Sequence, residues 1–350
     1  MVGKSRGFSS PAVRAVRGRL LPLVGWGGVV WAQKLRCAAG DVWFTHFPFM
    51  GNELQFVLLM PFLAWFADAD GHVVRQFALV TGVSSYFNNG AKDMLCLPRP
   101  PRALHVGATD GHDHIAQQYG FPSTHSIHAL CMACVLAREG AASGWASPTV
   151  CWGVAAAHVA HICFSRLYMG VHAAIDIAGG LAIGAALIAV YAAAGDAIDE
   201  ASVASGWGQL ATAAVSIAML SVYPDPSAEN TAFTEVVSFA GLHLGTTLST
   251  GPAAMHFTPK MVAVPHAAVA VPFVAGLIGL GIFRELLSLL SKAIVRELPR
   301  PARASGGVTC PAVARHLIVN AMTASLILTL HPTHVARWAR GAVVHYGGGL

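Results

Sequence analysis

Charged side chains are scarce in this sequence. Asp, Glu, Lys and Arg make up 11% of its 350 residues, whereas 55% of the residues are hydrophobic. A soluble domain carries about a quarter charged residues, so this chain has more apolar surface than one water-soluble core can bury. The composition therefore indicates an integral membrane protein, in which each span takes about 20 mostly apolar residues.

Acidic residues are missing from the first 40 positions, which contain seven Lys and Arg residues. The positive-inside rule predicts that residues 1–50 form a basic, cytoplasmic arm facing the membrane. An Arg-rich organelle transit peptide is the competing interpretation. Basic residues elsewhere form no long stripe, which argues against nucleic acid as a partner.

Disulfide and metal frameworks are also missing from the sequence. Cys131 and Cys134 form a C-x-x-C, but they lie in an apolar run without a second pair, so we expect them to pack in the core. There is no HExxH, paired-Asp or Cys/His cage, and we predict no metal and no cofactor. The Asp and His residues of 110–114 resemble metal ligands, but a solvated loop is the favoured interpretation.

Long apolar runs dominate what is present. Backbone polar groups in lipid must pair internally, and the runs are too long for barrel strands. We therefore expect an all-α, polytopic transmembrane helical bundle of about seven to nine spans. The active site should lie at one membrane face. The membrane-embedded domain should cover 51–335, with a catalytic core at about 92–180 and a short tail at 336–350. The runs fall at about 54–67, 73–91, 125–137, 149–164, 173–194, 207–222, 231–248, 262–291 and 312–331.

The first of three polar clusters lies at the end of an apolar run, in KDMLCLPRP. Pro98 and Pro100 disfavour helical geometry in the residues before them, so the helix should end there. Lys92 then lies at a helix terminus, with Arg99 on a stiff turn beside it. Two cations held in this way suit a phosphate group, although juxtamembrane positive charge is the simpler interpretation of this cluster alone.

The second cluster, PSTHS at 122–126, opens the next apolar run. Ser123 or Thr124 can cap a helix, and the free N–H groups of its first turn form an anion site. His125 would lie in that turn, close to a bound phosphate. Taken alone, the cluster is better explained by a capped helix without a ligand.

The third cluster, SRLYMGVHAAID, contains Arg166, His172 and Asp176. If His172 opens a helix, Asp176 lies one turn further along the same face. Its carboxylate can fix the tautomer of the imidazole, which leaves the other ring nitrogen free to attack. An unpaired carboxylate in an apolar run is costly, so a purely structural His–Asp pair is the competing interpretation.

Taken together, the clusters read Lys-x6-Arg-Pro, Pro-Ser-x-His and Ser-Arg-x5-His-x3-Asp. This order resembles the three-part signature of the type 2 phosphatidic acid phosphatase superfamily. KDMLCLPRPP, YGFPSTHS and SRLYMGVHAAIDIAGG are similar to sphingosine 1-phosphate phosphatases and their fungal long-chain-base phosphate relatives. The common superfamily form has Gly where this chain has Thr124, a departure that resembles the sphingoid-base branch. The resemblance covers about Lys92–Gly180.

The resemblance implies a metal-independent phosphomonoesterase of the endoplasmic reticulum membrane, multi-pass, with its active site in the lumen. Its substrates would be sphingoid base phosphates such as sphingosine 1-phosphate or dihydrosphingosine 1-phosphate. His172 would attack phosphorus to form a phosphohistidine, Asp176 would orient its ring, and His125 would act as acid and then as base. The phosphate would be bound by Lys92, Arg99, Ser123, Thr124 and Arg166.

Three alternatives stay open at the level of sequence. A broad-specificity lipid phosphate phosphatase would act on phosphatidate or lysophosphatidate through the same residues. A transporter or scaffold would keep the fold without catalysis, and a haloperoxidase-like enzyme would bind vanadate in the same pocket, although the multi-span composition argues against it. The expected partners are a lipid phosphate and membrane lipids, and the sequence does not give an oligomeric state.

Overall fold

A computed structural model of the chain describes residues 10–46, 53–64, 71–107, 119–224, 232–250, 266–297 and 310–330. Across these ranges the protein is helical and contains no β-strand, which confirms the predicted all-α class. Every predicted apolar run contains a helix. In chain order the helices are α1 Pro11–Leu20, α2 Gly27–Gln33, α3 Ala38–His46, α4 Glu53–Phe62, α5 His72–Leu95, α6 Thr124–Ala142, α7 Pro148–Tyr168, α8 Ala174–Val203, α9 Gly206–Ser221, α10 Ala232–Thr250, α11 His266–Glu297 and α12 Cys310–Leu330.

Two of the described helices, α7 and α8, are long and apolar enough to cross a membrane. In each of them only 22% of the most apolar window is buried inside the protein, so most of that surface faces outward. Helix α5 is different because it is surrounded by α6, α8 and α10 and buries polar residues along its length. Seven to nine spans are therefore not confirmed and stay a prediction.

Helices α5 to α8 alternate in direction, and their connections meet at two ends of the bundle. The described parts of the first connection, 96–107 and 119–123, lie beside residues 169–176. The N–H of Val106 donates to the carbonyl of Met169 (3.0 Å), and the N–H of Ser123 donates to that of Asp176 (2.9 Å). We call this the site end, because all three sequence clusters lie there. The short connection 143–147 lies at the opposite end.

The described part of the N-terminal arm, residues 10–46, is helical and packs at the site end. Arg17 donates to the carbonyl of Leu95 (3.0 Å), and Gln33 donates to that of Leu104 (2.6 Å). Tyr168, at the end of α7, donates to a carboxylate oxygen of Asp41 (2.8 Å). The arm therefore lies on the same face as the predicted active site. The cytoplasmic arm and the lumenal site, both expected from the sequence, stay predictions.

Close approach of α6 and α8 depends on glycine. A Cβ atom added to Gly180 would lie 2.7 Å from the carbonyl oxygen of Ser123 and 3.2 Å from Cβ of Ser126. A Cβ atom on Gly184, one turn further, would lie 3.1 Å from the side chain of Leu130. The second and third clusters are brought together because α8 has no side chain at these points.

We expect Gly180→Ala to lower the thermal unfolding temperature of the purified protein in detergent. The added methyl group must displace the backbone at Ser123, and overpacking of this kind costs about 1–3 kcal/mol. Gly153→Ala on α7 is the matched control, because no atom lies within 4 Å of its added Cβ. Unfolding temperatures that are equal for the two variants would contradict the close helix contact.

Candidate active site

The first cluster lies at the C-terminal end of α5, as the prolines predict. Helix α5 ends at Leu95, and Cys96 has a left-handed backbone (φ 48°) whose N–H donates to the carbonyl of Lys92 (2.9 Å). The chain then runs without helix past Pro98 and Pro100. The side chain of Lys92 is buried, and its ammonium donates a hydrogen bond to Oγ1 of Thr124 in the second cluster.

The second cluster forms the start of α6. Ser123 is the N-cap residue, and its Oγ accepts from the N–H of Ser126 (3.4 Å), so the predicted capped helix is present. Thr124 and His125 form the first turn and are half-buried. Oγ1 of Thr124 accepts from both Lys92 and Asn88 (2.8 Å to Asn88). Since a hydroxyl accepts twice and donates once, its own proton remains available for a phosphate oxygen.

The third cluster places His172 just before α8. Nδ1 of His172 lies 3.3 Å from Oδ2 of Asp176, which also accepts from the N–H of Ala173 (2.8 Å). Nη1 of Arg99 lies 3.3 Å from Nε2 of His172 and donates to the carbonyl of Val171 (3.0 Å). Because a guanidinium can only donate, Nε2 must accept, and the imidazole proton is on Nδ1, facing Asp176. The lone pair needed for nucleophilic attack is therefore on Nε2.

The surroundings keep His172 neutral. Burial lowers the pKa of His172 well below its usual value, and neighbouring positive groups lower it further: Arg99, Lys92, His125 and Arg166. Burial also lowers the pKa of Arg99 to about 10, partly offset by the carboxylates of Asp176 and Glu235, so the guanidinium stays charged near neutral pH. A neutral imidazole surrounded by cations is suited to attack on an anionic phosphoryl group.

Arg166, in the last turn of α7, is the third cation of the site after Lys92 and Arg99. It is 7% exposed, and its Nε donates to Oγ of Ser165 (3.0 Å). Its Nη2 is buried, and nothing in the described ranges accepts a hydrogen bond from it. A buried donor without an acceptor is unfavourable, and a phosphate oxygen would satisfy it. His125 lies within electrostatic range of Arg166, Lys92 and Arg99.

The structure thus brings all eight sequence-predicted site residues to one end of the bundle, although their individual roles stay predictions. Asn88 was missed by the sequence reasoning. It lies one turn before Lys92 and donates to Thr124, so it helps to position the phosphate site. The available signal was a pair of adjacent amides, Asn88 and Asn89, close to Lys92 at the end of the run 73–91.

Among the residues that the structure describes, no group of three or more His, Cys, Asp or Glu side chains is placed to hold a metal ion. The loop segment 110–114, the one region with metal-like residues in the sequence, lies outside the described residues, as does the predicted tail 336–350.

Comparison with known proteins places this site in a family. Residues 74–198 match the model described as the PAP2 superfamily, which confirms the family predicted from the three motifs. The chain is similar to "Lipid phosphate phosphatase delta" of Arabidopsis thaliana, with 27% identity over 61% of this chain and 52% of the relative. It is also similar to "Sphingosine-1-phosphate phosphatase 2" of Mus musculus, with 27% identity over 71% of this chain and 70% of that relative.

A third relative is a dihydrosphingosine 1-phosphate phosphatase of Saccharomyces cerevisiae, with 28% identity over 44% of this chain and 38% of the relative. The aligned part of this chain spans about half the length of the Arabidopsis protein and less of the yeast protein. No solved structure matches the chain.

The protonation state of His172 is directly measurable. At pH 6, where a free imidazole with a pKa of about 6.5 is mostly charged, we expect His172 to be neutral with its proton on Nδ1. Burial and the neighbouring cations disfavour the imidazolium, so Arg99→Met should raise the pKa of His172. Nitrogen-15 spectra of labelled histidine in detergent micelles report both the charge and the tautomer, and His172→Gln assigns the signal. A charged ring at pH 6, or a proton on Nε2, would contradict the geometry described above.

Proposed function

Because residues 74–198 of this chain belong to the PAP2 superfamily, we propose that the protein is a lipid phosphate phosphatase that hydrolyses a phosphomonoester. The paired His172 and Asp176, facing Arg99, Arg166 and Lys92, are the observation that supports this proposal most directly. A transporter or scaffold would not require a buried imidazole whose free lone pair is directed at a cluster of cations.

The proposed reaction has two steps at His172. Nε2 attacks phosphorus, the bond between phosphorus and the lipid oxygen breaks, and His125 gives its proton to the departing alkoxide. Asp176 stabilises the positive charge that the ring carries while it is phosphorylated. His125 then removes a proton from water, which attacks the phosphohistidine, releases inorganic phosphate and restores the ring.

Fixed cations take the place of a metal clamp in this scheme. The transition state of phosphoryl transfer spreads negative charge over its equatorial oxygens, and preorganised donors stabilise it. The donors would be Lys92, Arg99, Arg166, the hydroxyl of Thr124 and the N–H groups at the start of α6. Ser123 holds that helix end in place as its N-cap.

Sphingoid base phosphates are the proposed substrates. The motif segments resemble the sphingoid-base branch of the superfamily, and Thr124 occupies the position where the common form has Gly. The mouse and yeast relatives are named for sphingosine 1-phosphate and dihydrosphingosine 1-phosphate. A broad-specificity enzyme is the second candidate, because the Arabidopsis relative is named for lipid phosphates in general.

A membrane location accompanies the proposed substrate. Large apolar side chains are exposed on α7, α8 and α9, including Val154, Val190 and Ile217, and extended apolar surface marks contact with lipid or protein. We propose a multi-pass protein of the endoplasmic reticulum membrane. Because the arm packs at the site end, one accessibility measurement on the arm also gives the side on which phosphate is released.

Trapping the intermediate tests this mechanism. The substrate p-nitrophenyl phosphate has a leaving group that needs no acid. With it, His125→Gln should release a burst of one p-nitrophenolate per enzyme. The variant should then remain as the phosphohistidine, because the second step lacks its base. We expect the burst to persist in EDTA. His172→Ala should lower turnover by at least about a thousandfold and show no burst.

His161→Gln is the matched control, since this histidine on α7 packs against Trp43 and Phe44 in the arm, and its turnover should equal that of the wild type. Turnover of His172→Ala close to that of the wild type would refute the nucleophile. Loss of the burst in EDTA, restored by a divalent cation, would refute the metal-free mechanism.

A further inference from the structure

A line of polar side chains leads from the phosphate site to α10. Nδ2 of Asn88 donates to Oγ1 of Thr124 (2.8 Å) and lies 3.1 Å from Oδ1 of Asn89. Nδ2 of Asn89 in turn donates to Oε2 of Glu235 (3.2 Å). Both amides are buried, whereas Glu235 is half-buried in the first turn of α10. Glu235 therefore lies within a few side-chain contacts of the phosphate-binding residues.

Glu235 adds a second carboxylate, besides Asp176, to the surroundings of Lys92 and Arg99. It attracts both Lys92 and Arg99, so its carboxylate lies within electrostatic range of the phosphate clamp. A carboxylate there repels an anionic substrate, and for a plain phosphomonoester it is a disadvantage. The same charge becomes favourable when the substrate carries a cation next to its phosphate.

The line of polar side chains between Thr124 and Glu235 includes one acceptor, Oδ1 of Asn88, that is unsatisfied among the described residues. Asn88 has no solvent exposure, and its Oδ1 receives no hydrogen bond from any residue that the structure describes. Buried acceptors are normally paired, because an unmade hydrogen bond in a buried environment is costly. A ligand that donates a hydrogen bond to this atom would satisfy it.

We propose that Asn88 and Glu235 form an amine subsite that selects lipid phosphates with an ammonium group close to the phosphate. The inference rests on the phosphatase activity proposed above. In a sphingoid base phosphate, the amino group is on the carbon next to the one that carries the phosphate. Its ammonium would donate to the carboxylate of Glu235 and to Oδ1 of Asn88, while the phosphate contacts Lys92 and Arg99.

An apolar cavity lies along the same helices. It has a volume of about 460 Å³ and lies between α5, α8, α9 and α10, where apolar side chains form most of its lining. Tyr86, one turn before Asn89, and Val236, next to Glu235, both line it. The cavity thus offers apolar surface on the two helices that carry Asn88 and Glu235.

The test compares the activity of Glu235→Gln on two lipid phosphates whose hydrocarbon chains have equal length. This substitution removes the charge and keeps the size, so kcat/KM for dihydrosphingosine 1-phosphate should fall by about tenfold or more, as expected for a charge-assisted hydrogen bond. Activity on octadecyl phosphate, which has no amino group, should stay within about twofold of the wild type or rise, because a repulsive charge is lost. Glu235→Asp, which retains the charge, should recover part of the selectivity. Glu285→Gln, an exposed carboxylate on α11, is the matched control and should leave both activities unchanged.

The outcomes separate the two proposals. Octadecyl phosphate turnover shows that Glu235→Gln is folded and active. Suppose that the wild type hydrolyses both lipids. If Glu235→Gln then lowers the two activities equally, or lowers neither, the amine subsite is overturned and the phosphatase proposal stays intact. A wild type that hydrolyses neither lipid but does hydrolyse phosphatidate would overturn the subsite alone. A wild type that hydrolyses none of the three would overturn the phosphatase proposal, and the subsite with it.

Discussion

The burial of three cations around one neutral imidazole is the constraint on which the site depends. Lys92, Arg99 and Arg166 come from different segments, and removing each charge from water costs several kcal/mol without a compensating partner. Asp176 is directed at the imidazole and the N–H of Ala173, and Glu235 attracts Lys92 and Arg99, so these carboxylates compensate the cations only in part. A bound phosphate supplies the missing negative charge. The helices therefore hold the site in a form that is more favourable when an anion is bound.

Helix packing makes this cluster possible. Glycines on α8 allow the start of α6 to reach the chain just before α8, so the second and third motifs meet through backbone hydrogen bonds. Lys92 and Asn88 then hold Thr124 from the side of α5. The departure from the common superfamily pattern at Thr124 is therefore built into the structure, since its hydroxyl joins the first motif to the second.

The three motifs could be predicted from the sequence because each depends on local rules. Proline ends α5, Ser123 caps α6, and four-residue spacing joins His172 to Asp176. The contacts from Asn89 to Glu235 and from Tyr168 to Asp41 could not be predicted, since they link residues more than 100 positions apart and leave no periodic signal. The helices of the arm were missed because short segments rich in Gly, Pro and Arg lack a clear apolar period. The number of spans could not be predicted either. Helix α5 buries its polar residues against other helices, so its surface differs from that of an apolar span facing lipid.

The central claim is that three distant segments surround one phosphorus atom. An experimental structure with bound orthovanadate, which mimics the transition state of phosphoryl transfer, would test it most directly. The account predicts vanadium bonded to Nε2 of His172, with its oxygens contacting Lys92, Arg99 and Arg166 and the start of α6. Vanadate bound away from His172, or His172 separated from Arg99 and Ser123 by the length of the helices, would contradict it.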